Sequence, residues 1–316
     1  MPVRAGASAS ASASASARLI QCVALLVAAA TLSSCTATES PLDLGVPSDP
    51  GVTIGSQGTP ENEILAQIYG QVLEQAGYTV RYDQTIGARA TYVRALEVGS
   101  LDLVPEYAGA LLYELDSFTT ASSTTEVGAE LPAALEPLGL VALTPSPADS
   151  GEAVVVAPAF ATATGASSIA DLAPLSATLI VGARTGFDEQ YFEALEKKYG
   201  VVGLGFQSID GDASVSVADL IGDLVQATSI SMTSPLVAAS ELVVLDDPKD
   251  LFVAQNVTPL LSADLLTDEI EDLLNEVSAK LTTRELRSLN LSYVHDDKPT
   301  AAEVARSWLV ANQLAS

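Results

Sequence analysis

Cysteine is nearly absent from this chain: its 316 residues contain two, Cys22 and Cys35, both near the amino terminus. From residue 36 onward no disulfide can form, and a chain well beyond 100 residues buries enough apolar surface to stand without one. Histidine is scarcer still. His295 is alone, in an HDDKP turn between two helical segments, where a solvated loop residue is the ordinary reading. With no thiol nucleophile in the body of the chain, no GxSxG elbow, no Walker loop and no Rossmann glycine fingerprint, an enzyme reading has no catalytic set and no cofactor to bind. Basic residues are few, 14 against 40 acidic ones, for a formal charge of −26. Such a balance argues against nucleic acid and against electrostatic docking to anionic lipid. It names no cationic ligand, because spread surface carboxylates usually serve solubility. No metal site is expected: DGDAS at 210 to 214 opens like a calcium loop but lacks the glycine and closing glutamate, which leaves a polar surface turn.

Long hydrophobic runs are also missing, apart from one stretch from Leu19 to Thr31 that is too short to span a bilayer comfortably. It follows the low-complexity run AGASASASASASA and Arg18 and ends in LSSC, which reads as a lipoprotein export signal over residues 1 to 34. Cleavage before Cys35 removes Arg4 and Arg18 and no acid, moving the charge from −26 to −28. Cys35 is then the lipidation residue, and diacylglycerol on its sulfur with an acyl group on the new amino terminus supplies the two chains that stable anchoring requires. An ordinary signal peptidase site or a buried thiol is the alternative. Residues 35 to 51, rich in Pro, Ser, Thr and Asp without apolar period, read as a flexible tether on the outer face of the cell membrane.

Beyond the tether, strand and helix signals alternate. VTIG (52 to 55) is a β-rich run, and Thr59 as N-cap with Pro60 at the first position opens a helix that carries Ile64, Leu65, Ile68, Val72 and Leu73 and stops at Gly77. YTVRY (78 to 82), a helix with Tyr92, Val93 and Leu96, and LDLV (101 to 104) follow, which predicts a parallel sheet. Strand signals resume near 140, at AVVVA (153 to 157), ATLIVGA (177 to 183), ISMT near 231 and LVVLDD (242 to 247), with a helix around Tyr191 to Tyr199. The last third is helical. The length after the tether, about 265 residues, suits two α/β domains better than one.

The informative stretch is ALEVGSLDLVPEYAG, 95 to 109. A strand ending in Pro105-Glu106-Tyr107, followed by the small Gly109, places a carboxylate and a phenol at the carboxyl edge of a parallel sheet, where open α/β sheets bind ligands. Physics alone leaves two other roles open: Tyr107 in the core, and Glu106 as a helix-start acid. The stretch resembles the osmoprotectant-binding proteins of ABC importers, which bind glycine betaine, choline or carnitine. TIGSQ, ILAQIYGQVLEQAGYTV, LVVLDDPKDLF, NVTPLL, LTTRELRSLNLSYV and EVARSWL are similar to that family in order and spacing, so the likeness covers nearly the whole mature chain.

The resemblance implies a type II periplasmic-binding-protein fold, two α/β lobes with a ligand cleft between them. Lobe 1 is expected at 52 to 150 plus 255 to 316 and lobe 2 at 151 to 254. Partners implied are a small-molecule ligand and the ABC permease and ATPase subunits, with the chain itself a monomer. Ligand residues expected on this basis are Tyr107 and Glu106; Ser56, Gln57 and Thr59 in the first strand-to-helix loop; Thr185 and Phe187 in the second lobe; and Thr233, Gln255 and Asn256 near the hinge. Quaternary ammonium is commonly surrounded by tyrosines in this family, since it is attracted to aromatic faces. Here DSGEA (149 to 153), ISMTS (230 to 234) and Gln255 stand where aromatics are usual, and Gln190 lies near the place of a usual arginine. Either the ligand is a different polar solute able to hydrogen-bond, or the cage is completed by Phe187, Tyr191 or Tyr92. A scaffold lipoprotein with this fold and a degenerate site is the alternative to an importer subunit.

Overall fold

The computed structural model describes residues 51 to 83, 86 to 294 and 297 to 315, so the expected export signal, Cys35, nearly all of the expected tether and His295 lie outside the described residues. The chain builds two five-stranded sheets. The first holds β1 (Val52–Gly55), β2 (Val80–Asp83), β3 (Leu103–Tyr107), β4 (Leu140–Ala142) and a strand from far downstream. The second holds β5 (Glu152–Val156), β6 (Ile180–Ala183), β7 (Gly205–Ser208), β8 (Ala227–Ser231) and β9 (Val243–Val244). The returning strand is β10 (Val257–Ser262), which inserts between β3 and β4, antiparallel to both.

The three strands expected to be parallel are so, and that insertion makes the sheet as a whole mixed. The strands β2, β1 and β3 are parallel, as βαβ units joined by α1 (Pro60–Gln75) and α2 (Arg89–Glu97) must be. Their antiparallel neighbour arrives from beyond the second sheet, and no local pattern announces its direction. The second sheet is mixed in the same way, with β6 parallel to β7 and β8 while β5 runs antiparallel to β8 and β9. Only Ile180 to Ala183 of the run ATLIVGA is strand, because Ala177 and Thr178 close a 3-10 segment capped by Ser168.

Both sheets are covered on both faces. In the first, α1 packs with α9 (Asp268–Lys280), α10 (Thr283–Tyr293) and α11 (Ala301–Ala311) around Ile54, Leu65, Leu274 and Trp308. On the opposite face α2, α3 (Ala108–Leu115) and α4 (Thr124–Leu135) bury Tyr92, Leu96, Leu111 and Leu131. The second sheet is flanked by α5 (Pro158–Thr164), α6 (Phe187–Tyr199), α7 (Ala213–Ile221) and α8 (Pro235–Ala239). Along β5, Val154 and Val156 join one core and Val155 the other. A strand buried on both faces needs apolar side chains at every position, which is why AVVVA reads as a continuous run.

Helix ends follow local chemistry. Thr59 accepts from the Asn62 amide at 3.3 Å to start α1, and Gly77, at φ +97°, follows its end. Capping boxes, Ser123 with Glu126 and Thr300 with Glu303, open α4 and α11.

The chain passes between the sheets twice, and the two crossings lie side by side. Ser150 donates its amide to the Gln255 carbonyl at 3.1 Å, and Asp149 bridges to Asn256. The Asp149 carboxylate ties both segments by accepting from the Gly151 and Gln255 amides at 2.7 and 3.0 Å. Gly109 stands against this junction: a Cβ there would lie 2.4 Å from the Ala254 carbonyl oxygen, so the first turn of α3 reaches the crossing only because it lacks a side chain.

Candidate functional site

The carboxyl ends of β1 and β3 form one edge of the first sheet. Ser56 and Gln57 follow β1; Glu106 and Tyr107 end β3. Glu106 is fully buried. Its carboxylate accepts from Arg89 Nε at 2.6 Å and Nη2 at 3.4 Å, from the Tyr107 amide at 2.5 Å, from Gln57 Nε2 at 3.5 Å and from the Tyr92 hydroxyl. Gln57 also donates to the Tyr92 hydroxyl at 2.8 Å. Burial, and then the adjacent Glu106 charge, push the Tyr92 phenol upward, so it stays a donor. Glu106 is thus a paired, hydrogen-bonded carboxylate inside the first sheet.

Tyr107 belongs to a second network, which reaches the other sheet. Its hydroxyl donates to Glu61 Oε1 at 2.5 Å and accepts from Asn62 Nδ2 at 3.2 Å. Burial, followed by the neighbouring Glu61 charge, raises this phenol too. The Glu61 carboxylate, in the first turn of α1, also accepts from the Ser150 hydroxyl at 2.8 Å and from Asn290 Nδ2. Ser150 in turn meets Thr233 Oγ1 at 3.0 Å, and Asn290 Nδ2 donates to the Thr233 carbonyl at 3.0 Å. Arg287 Nε donates to the Met232 carbonyl at 2.7 Å. The carboxyl end of β8 therefore rests on α10 and on the crossing.

In the second half, Arg184 and Thr185 follow β6 on the same edge as Ser231 and Met232. Thr185 is exposed and hydrogen-bonded to the Ser208 hydroxyl at 2.6 Å. Phe187 is fully buried; its ring centroid lies 4.8 Å from Tyr191 and 6.4 Å from Phe252. Gln190 accepts from Arg184 Nη2 at 2.7 Å and donates to the Tyr191 hydroxyl at 3.0 Å. Arg184 Nε stands 3.5 Å from Glu152 Oε1.

The expected residues divide by what their side chains already do. Tyr107 and Thr233 share one network, through Glu61 and Ser150; Gln57 and Glu106 share the other. Thr59 is committed to capping α1, and Ser56, buried, accepts from the Gly58 amide at 3.2 Å. Gln255 accepts from the Ala110 amide at 2.9 Å, and Asn256 binds the Thr124 hydroxyl at 2.7 Å and the Ser146 carbonyl at 2.9 Å, so both fasten the returning crossing to the first half. Glu61, Asn62, Arg89, Ser150, Arg184 and Asn290 were not among them. Glu61 and Asn62 follow the N-cap signal directly, whereas Asn290 lies 229 positions from its partner Glu61.

Two α/β halves joined by paired crossings, with polar side chains gathered where the halves meet, define a substrate-binding protein of the type II periplasmic-binding fold. The family described as the substrate binding domain of ABC-type glycine betaine transport systems matches residues 50 to 311, and the chain belongs to it. It is 28% identical over 280 residues to the glycine betaine-binding protein YehZ of Escherichia coli, across 84% of this chain and 90% of that one. The apo structure of that protein superposes with a TM-score of 0.75 at 26% identity, covering 84% of this chain and 100% of the other. A glycine betaine/carnitine/choline ABC transporter structure shares the fold with a TM-score of 0.74 at 20% identity, over 83% and 99% of the two chains. The family is one of extracytoplasmic transport proteins and not of enzymes. Among the described residues no helix is long and apolar enough to cross a membrane.

Proposed function

We propose that this chain is the lipid-anchored binding subunit of an ABC importer and that it captures glycine betaine or a closely related osmoprotectant. The observation that carries the reading is the family match across both sheets, residues 50 to 311. Tyr107 at the carboxyl edge of β3, beside the paired crossings, supports it. In this reading residues 52 to 150 with 255 to 316 form one lobe and 151 to 254 the other. The lobes turn about Asp149 to Gly151 and Ala254 to Asn256, and ligand shifts the population toward the closed form that the permease recognises. Tyr107, Gln57 and Thr233 face the solute, and Thr185 joins them on closure. Acyl chains on Cys35 hold the protein at the outer face of the membrane, and the tether lets it reach the permease.

Thermal unfolding of the purified chain against glycine betaine, choline, carnitine and proline betaine tests this. A solute that binds only the folded state adds about 2.7 kcal/mol at 100 times its Kd, which raises the midpoint by roughly 5 to 10 °C for a protein of this size. Tyr107→Ala is expected to abolish the shift. No shift with any of the four solutes removes the ligand class; a shift that survives Tyr107→Ala removes the site.

A further inference from the structure

Besides the two crossings, the halves meet at a third place. Helix α10 belongs to the first half, where it packs with α1 and α11, and it also packs against α8, which follows β8 in the second half. Two of its side chains reach the backbone just beyond β8. Arg287 Nε donates to the Met232 carbonyl at 2.7 Å, and Asn290 Nδ2 donates to the Thr233 carbonyl at 3.0 Å. Asn290 Nδ2 also donates to Glu61 in the first turn of α1. The Glu61 carboxylate accepts from Ser150, whose hydroxyl meets Thr233 Oγ1 at 3.0 Å.

This seam supplies what the second half does not supply to itself. Thr233 is buried, and a buried carbonyl must find a donor. The donor comes from α10. Asn290 is buried too, and its amide nitrogen is spent on both halves at once, while its Oδ1 has no hydrogen-bond partner among the described residues. Burial lowers the value of the half-buried Arg287 guanidinium with no carboxylate to offset it, so its bond to Met232 is not the by-product of an ion pair.

The other end of the same sheet edge makes its bonds at home. Thr185, exposed at the end of β6, bonds the Ser208 hydroxyl at 2.6 Å and lies 3.5 Å from Asp210, and Gln190 bonds Tyr191. In the sheet β8 is central, with β5 and the crossings on one side and β6 and β7 on the other. Two adjacent crossings alone act as one strap, about which a lobe can swing in more than one direction. An attachment displaced from them leaves only rotation about the line that joins the two. That rotation opens the β6 and β7 edge and leaves the end of β8 in place.

We infer that Arg287 and Asn290 make α10 a third attachment between the lobes, one that stays made as they open and close and confines the movement to the β6 and β7 edge. This rests on the two-lobe movement proposed above. Spin-label distances in the purified chain, carrying Cys22→Ser and Cys35→Ser, test it with cysteines placed at exposed positions. One pair spans the seam, Ser292 on α10 with Ala239 on α8; the other joins Ser292 to Ser208 at the end of β7. On adding glycine betaine the seam distance is expected to change by less than about 1 Å and the Ser208 distance by more than about 2 Å. In Arg287→Met with Asn290→Leu the seam distribution broadens, and the betaine Kd rises about 3- to 10-fold because loosened lobes populate the binding-competent arrangement less. Arg287→Lys keeps a donor and is expected to keep the narrow distribution. Arg287→Met alone, at a half-buried position, repeats the comparison where the double variant does not unfold cooperatively. A seam distance that moves with solute as far as the Ser208 distance overturns the inference, and so does a seam distribution as narrow in the variants as in the wild type. That second comparison is made without solute, so it decides the role of α10 even where glycine betaine moves neither distance, a result that counts against the importer reading alone.

Discussion

Replacing Glu106 by glutamine is the sharpest test of how this edge is held together. The carboxylate is fully buried and meets two Arg89 nitrogens, the Tyr92 hydroxyl, the Gln57 amide and the Tyr107 backbone amide. Glutamine keeps the shape but removes the charge, and its NH2 group faces donors. Breaking a buried pair by neutralising one partner costs about 3 to 5 kcal/mol, because the other charge stays buried. The Arg89 side chain is 21% exposed, so water reaches it and the expected cost falls to about 2 to 4 kcal/mol. At roughly 2 to 4 °C per kcal/mol for a chain of this length, the thermal midpoint drops by about 4 to 16 °C. A double-mutant cycle isolates the pair. Arg89→Met should also destabilise, and the combined variant should be more stable than the sum of the single losses predicts by at least about 1.5 kcal/mol, since it buries no orphaned charge. Urea or thermal unfolding of the four proteins measures this. A Glu106→Gln loss below about 1 kcal/mol, or strict additivity, would refute the account of Glu106 as a buried, paired carboxylate.

Gly109→Ala drives a Cβ against the Ala254 carbonyl and must push the returning crossing away, at about 1 to 3 kcal/mol; an unchanged melting curve would show that the crossing yields freely. Tyr69→Phe is expected to change stability by less than about 1 kcal/mol, because the buried Tyr69 hydroxyl has no partner at hydrogen-bond geometry among the described residues, Ser278 being the side chain beside it. The acid limb of stability should depend in part on the capping boxes that open α4 and α11. Backbone amides of Ser122 and Ser123 hold Glu126 below its ordinary value of 4.5, and the Thr300 amide does the same for Glu303. Folded values below the unfolded one mean a contribution that is present above about pH 4.5 and lost as pH falls through the lower folded value. Glu126→Gln with Glu303→Gln should therefore lower stability at pH 7 and flatten its fall between about pH 5 and 3, read by denaturant midpoints across that range; an unchanged slope would count against the caps.

Short-range features were readable because their causes are local. Thr59-Pro60 at a helix start and Gly77 at its end act through backbone geometry within one turn, so the sequence and the structure agree there. AVVVA declares a strand covered on both faces. PEY at the end of β3 declares a carboxylate and a phenol at a sheet edge, which follows from strand and loop order. What the pair does there could not be read, since Glu106 turns into a buried pair with Arg89 while Tyr107 turns to Glu61 on α1.

The sequence by itself determined the alternation of strands and helices, the caps, the acidic surface and, through order and spacing, the family. Tertiary structure alone decided that β10 returns antiparallel into the first sheet, that Asn290 meets Glu61 across 229 positions, and that Ser150 at the crossing meets Thr233 beyond β8. The reason is physical. Propensity, capping and amphipathic period act over a few residues, whereas these contacts form only after two separate sheets have packed and the chain has crossed between them twice.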